Sequence, residues 1–170
     1  MKRYLCLLLH VGALMTGACD KGTTKLPKAI QPDLDRFISD GSRLTSLTSQ
    51  GVSISSFGEQ LATTTASFEV LHERWSANYE PSAKKEFEQA VYGWKLLYRM
   101  WSREVAEHST FGATNDSNLI SAVDSYAPGR IPREKEYPSF IRYGPTVRIL
   151  MSVAAEHFEN GRRQILAAQK

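Results

Sequence analysis

The side chains with the widest chemical repertoire in this 170-residue chain are three histidines, His72, His108 and His157, and the carboxylates near them. Glu69-Val70-Leu71-His72 has the Glu-x-x-His spacing with which helical bundles hold paired metal ions. Such a site needs a second copy and two more inward-facing glutamates. The nearest equivalent, Glu104 to His108, is one residue too long. On adjacent antiparallel helices His72 and His108 would stand about 28 Å apart, given a rise of about 1.5 Å per residue, so they do not share an ion. His157 with either one leaves a metal or ligand carrier open as a reading. The plainer role for each is a hydrogen-bonded histidine at the edge of a core. Neither a metal nor a cofactor is expected, and Cys-x-x-Cys-His haem attachment is absent. Covalent catalysis lacks a Gly-x-Ser-x-Gly elbow, and phosphate chemistry lacks a glycine-rich loop. Glu86/Glu88 and Glu134/Glu136 stand near Lys or Arg and read as solvated charge. No catalytic residue is assigned, and an envelope hydrolase built from unrecognised groups is the enzymatic rival.

Two sets of residues suit recognition better than reaction. Tyr92, Leu96 and Met100 recur every four residues, with Arg99 beside them, opposite the main apolar stripe of their helix. Either the helix is central and covered on both faces, or this second stripe is an exposed docking site. Arg130, Arg133, Tyr137 and Arg142, with Phe140 and Tyr143, lie in a proline-rich stretch. Long ordered loops on rigid scaffolds often carry function. These residues could grip an anionic ligand, a headgroup or another protein, or simply pin the loop over the domain.

The amino terminus reads Met1-Lys2-Arg3, then a mostly apolar run from Tyr4 to Met15, then Thr16-Gly17-Ala18-Cys19. This is the layout of a secretory signal peptide over residues 1–18, too short for a comfortable membrane span. The small residues before Cys19 resemble the lipobox of bacterial lipoproteins, with Thr16 where that family usually has Leu. The resemblance implies a diacylglycerol on Cys19, which becomes the first mature residue, and an anchor in the bacterial cell envelope facing the periplasm. Asp20 looks like the enteric signal for the inner membrane. The alternative is a soluble secreted protein cut near Ala18. Cys6 leaves with the leader, so Cys19 has no disulfide partner, as lipidation would require.

Charge narrows the partners. Of the net +3, Lys2 and Arg3 supply two, so the mature chain is nearly neutral and nothing points to nucleic acid. Residues 19–32, rich in Lys, Gly, Thr and Pro, read as a flexible tether, and 33–170 as a single domain.

The elements that must position these residues are helical. Pro32-Asp33 opens a first helix, with Leu34, Phe37, Ile38 and Thr45 on one face, Leu44 at its edge and Gly51 as its stop. Ser56-Phe57-Gly58-Glu59 fits a capping box for a second. Its face is Phe57, Leu61, Thr64, Phe68, Leu71, Trp75 and Tyr79, and it ends near residues 78–80 before Pro81. Ser82 caps a third, running to His108, whose stripe is Phe87, Ala90, Val91, Trp94, Leu97, Tyr98, Trp101, Val105 and His108. The short link makes helices two and three an antiparallel hairpin and makes helix two the secure partner of helix three. Asn115–Ser117 caps a short helix with Leu119, Ile120, Val123 and Tyr126. A crossover with Pro128, Pro132 and Pro138 follows, and a last helix starts at Gly144-Pro145 with Val147, Leu150, Met151, Ala154, Phe158, Gly161 and Ile165 inward. The fold class is therefore all-α, a bundle of four long helices with a short extra helix and a proline-rich crossover. Together these readings describe a membrane-anchored protein-binding or adaptor module that holds another envelope protein, in immunity, exclusion or secretion assembly.

Overall fold

A computed structural model describes residues 27–76, 79–107, 112–133 and 135–170. The leader, Cys19, Asp20, His108 and Glu134 lie outside the described residues. The fold is the expected all-α bundle: α1 (Gln31–Gln50), α2 (Ile54–Arg74), α3 (Pro81–Glu107), the short α4 (Ser117–Tyr126) and α5 (Tyr143–Ala168). A two-residue antiparallel ribbon is added to it, in which β1 (Ala113–Thr114) pairs with β2 (Ile141–Arg142).

Local chemistry accounts for the ends of these helices, in places differently from the sequence expectation. Gly51 ends α1 in the left-handed region at φ 69°, where glycine carries no Cβ penalty. The cap of α2 is Ser53, whose hydroxyl accepts the Ser56 N–H at 3.1 Å. Ser56 therefore lies inside the first turn, and the Ser56–Glu59 box is not the cap. α2 stops at Arg74, earlier than residues 78–80, because Trp75 turns extended. Trp75 and Tyr79 are nonetheless buried, the indole N–H donating to the Tyr79 carbonyl at 2.7 Å. Their helical spacing reported burial, and the chain achieves that burial by folding back. Pro81, with no N–H to leave unpaired, is the first residue of α3, ahead of Ser82. Asp116 caps α4 as expected, accepting from Asn118 and Leu119 at 2.9 and 3.0 Å. α5 begins at Tyr143, ahead of Pro145, and the Tyr143 N–H donates to the Gly112 carbonyl at 2.8 Å.

The packing is two helix pairs, α1 with α2 and α3 with α5, laid against each other. Helix α3 packs on α2, as the short link between them requires, and far more extensively on α5, which the sequence did not single out. Phe37 of α1 joins the pairs at the centre. Its ring lies 5.1 Å from that of Phe68, 5.0 Å from Phe87 and 5.8 Å from Phe158. Trp94 closes the cluster at 5.4 Å from Phe158. Helical glycines make room for these rings. A Cβ on Gly161 would stand 2.6 Å from Phe87, and one on Gly41 would stand 2.5 Å from Phe158. The glycines cost helix propensity and return close aromatic packing.

The first residues of the described chain are held rather than free. Ile30 is buried and its N–H donates to the Pro27 carbonyl at 2.9 Å. Arg74 donates to the Ala29 carbonyl at 3.1 Å and pairs with Asp33. Residues 27–32, read above as part of the tether, are therefore folded onto the domain, and residues 19–26 lie outside the described residues.

Candidate functional site

The second stripe of α3 separates into two parts. Leu96 and Met100 are 2% and 0% exposed, so neither reaches a partner in this fold. Both belong to the core that also holds Leu119 and Val123 of α4 and Ile131 and Ile141 of the crossover. The helix is central, as the first of the two readings held. Tyr92 and Arg99 remain at the surface. Tyr92 is 47% exposed and stacks edge-on against Tyr126 of α4 at 5.6 Å. Conversely, Tyr98 and Val105, assigned to the core stripe, are exposed. The buried arc of α3 is rotated toward residue 100 because α5, more than α2, covers it.

The crossover cations are committed to the domain itself. Arg130 forks onto Glu156 of α5 at 2.8 and 3.0 Å, and Ser152 donates to the same carboxylate at 3.0 Å. That hydrogen bonding with Arg130 holds Glu156 below the usual carboxylate range, and Glu156 raises the Arg130 guanidinium in return. Arg133 pairs with Asp124 of α4. Arg142 lies exposed on β2, and Tyr137 is the most exposed large apolar side chain, its ring 6.3 Å from Phe140. At the other end of α4, Arg103 pairs with Asp116 and holds its carboxyl below the ordinary range, aided by the capping N–H of Leu119. Arg130 and Arg133 thus pin the loop, and of the four crossover candidates Tyr137 presents the freest surface.

Both described histidines bridge helices to α3. His157 of α5 meets Glu86 at 2.7 Å, and His72 of α2 meets Glu88 at 3.0 Å from the opposite flank. Glu86 and Glu88 are therefore histidine partners, not the Lys- and Arg-screened charge the sequence suggested. Beside His157 lies Tyr126, ring to ring at 5.9 Å. The Tyr126 hydroxyl is buried without a partner, and burial pushes the phenol above its ordinary value. It sits over Gly93, where a Cβ would stand 2.0 Å from the oxygen. Among the described residues no group of three His, Cys, Asp or Glu side chains could hold a metal ion.

Sequence reasoning missed an open cleft of about 350 Å³ between α2 and α3. Phe68 and Val91 form its floor, Glu69, His72 and Glu73 its α2 rim, and Glu88, Tyr92 and Lys95 its α3 rim. It follows from the packing: α2 is committed to α1 and α3 to α5, so the seam between the pairs stays shallow. The signal was present in Glu69, His72 and Glu73 at i, i+3 and i+4 beside Phe68, and Glu69 and His72 are the pair weighed above as metal ligands.

No protein-family model matches this chain, and neither a curated protein nor a solved structure matches it. Among the described residues no helix is long and apolar enough to cross a membrane.

Proposed function

We propose that this chain is a lipid-anchored protein of the bacterial cell envelope whose helical domain faces the periplasm and binds another envelope protein. The observation that carries the reading is the leader: a basic start, an apolar run and small residues lead to Cys19, the only cysteine after it. The fold fits such an attachment. The chain enters the bundle at one end, where Arg74 clasps Ala29 and Asp33 and the last turn of α5 reaches Gln31 through Gln169 at 3.5 Å. Residues 19–27 span at most about 30 Å when extended. A 27-residue helix such as α3 is about 40 Å long. The anchor would hold one end of the bundle near the lipid and turn the ribbon end outward.

The anchor is tested by Cys19→Ser. Membrane fractionation should move the protein from the pellet to the soluble periplasmic fraction, and labelling with radioactive palmitate should cease. Membrane retention of the variant would overturn the lipid anchor. Crosslinking in intact cells tests the binding role, and a single discrete adduct is expected.

A further inference from the structure

We propose that the cleft between α2 and α3 docks a basic amphipathic helix of the envelope partner. The inference rests on the adaptor reading above and adds the surface and the chemistry of what it holds. The floor is apolar, from Phe68 and Val91, and Tyr92 stands half-exposed at the edge, where an aromatic side chain adds area at low entropy cost. Glu69 and Glu73 make no hydrogen bond or ion pair within the described residues, and Glu88 meets only His72. Lys95 is the single lysine or arginine on the rim. Unpaired carboxylates around an apolar floor favour a partner that brings Lys or Arg together with an apolar stripe. A small molecule is a poor fit, because pockets for small ligands enclose most of the ligand and this cleft lies open between two ridges. A helix laid over the seam, above the His72–Glu88 bridge, would set its apolar stripe on Tyr92 and the shallow floor and place its cations beside Glu69 and Glu73. A second copy of this chain would bring carboxylate against carboxylate, which costs affinity.

The test uses the purified mature chain carrying Cys19→Ser and a fluorescein-labelled 14-residue Leu/Lys peptide of helical amphipathic pattern. Controls are a scrambled peptide of the same composition and a Leu/Glu peptide of the same pattern. Anisotropy should report saturable binding of the patterned Leu/Lys peptide, at least tenfold tighter than either control. Glu69→Lys with Glu73→Lys should weaken it at least tenfold and Tyr92→Ser about threefold. Glu69→Lys alone should weaken it at least threefold, whereas Glu59→Lys, the same single reversal near the other end of α2, should alter it less than twofold. Equal weakening by Glu59→Lys, equal binding of the scrambled peptide, or no binding would each overturn the proposal. A benzoylphenylalanine crosslinker in place of Tyr92 carries the test into cells. Its adduct should map to a basic amphipathic helix of another envelope protein, and an adduct with a second copy of this chain would overturn the inference. A discrete partner still crosslinked through the crossover, with the cleft reversals silent, would sink the cleft while sparing the adaptor reading.

Discussion

Gly161→Ala is expected to destabilise the domain although alanine is the better helix former. The substitution removes a glycine from the interior of α5, which by propensity alone would stabilise by about 1 kcal/mol. The new Cβ would stand 2.6 and 2.7 Å from Cε1 and Cδ1 of Phe87, where ordinary contact begins near 3.4 Å. Phe87 is fully buried and cannot retreat freely, since Phe37 lies 5.0 Å away, Phe158 5.8 Å and Trp75 6.0 Å. Overpacking of this kind costs roughly 1–3 kcal/mol. The net loss should be about 1 kcal/mol, or about 3–4 °C in Tm for a domain of this size. Gly144→Ala is the internal control, because its Cβ meets nothing within 4 Å. It should stabilise by roughly 0.4–1 kcal/mol. Urea denaturation followed by circular dichroism, with the two variants side by side, reads the difference. Adding Phe87→Leu should recover part of the Gly161→Ala loss, a coupling of at least about 0.5 kcal/mol in the double-mutant cycle. A Gly161→Ala midpoint raised as far as that of Gly144→Ala would refute the packing argument.

Other expectations concern the second face of α3 and the crossover. Leu96→Asp puts a carboxylate in the core and should cost about 3 kcal/mol or more, with loss of helicity, whereas Tyr92→Asp should leave the circular dichroism spectrum unchanged. A folded Leu96→Asp variant with a wild-type midpoint would contradict the burial of that stripe. Tyr126→Phe removes a buried hydroxyl with no partner and should stabilise by about 1 kcal/mol at neutral pH. Burial raises the Tyr126 phenol above its ordinary 10, so below pH 10 both states are protonated, and as pH rises above it the unfolded chain ionises first and wild type loses stability. The Phe variant should lose less stability than wild type above pH 10 in pH-dependent urea titrations, and an equal loss would count against this account. Glu156 is held low by Arg130, so their pairing is present above the ordinary carboxylate value and is lost as pH falls through the depressed one. The pair is half-exposed and worth at most about 1 kcal/mol. Protection factors across residues 127–142, taken relative to intrinsic exchange at each pH, should therefore fall on acidification with only a small change in global stability, and Arg130→Gln should show the lower protection already at neutral pH.

Much of this molecule is legible along the chain because its signals are local. Within α2 every residue predicted to face inward, Phe57, Leu61, Thr64, Phe68 and Leu71, is buried and only Ser67 is added, since burial at i, i+3 and i+4 leaves a periodic mark whatever lies opposite. Gly51 and Asp116 end and start helices through hydrogen bonds within a few residues of themselves. Where a nearby residue competes for the same role, local reading slips: Ser53 and Ser56 are both plausible caps, and only the geometry of the turn selects Ser53. His72 and Glu69 were recognisable as a polar face of α2, but the spacing that suggests a metal also serves a cleft rim.

The sequence alone determined the helices and most of their apolar faces, because each is written in residues close together in the chain. Tertiary structure decided that Leu96 and Met100 are buried in the common core. It also decided that Arg130 and Arg133 spend their charge on Glu156 and Asp124, and that a cleft remains between α2 and α3. Those outcomes depend on which helix lies beside which, and that choice is made by ring-to-ring and glycine-to-ring contacts between residues as far apart in the chain as Phe37 and Phe158.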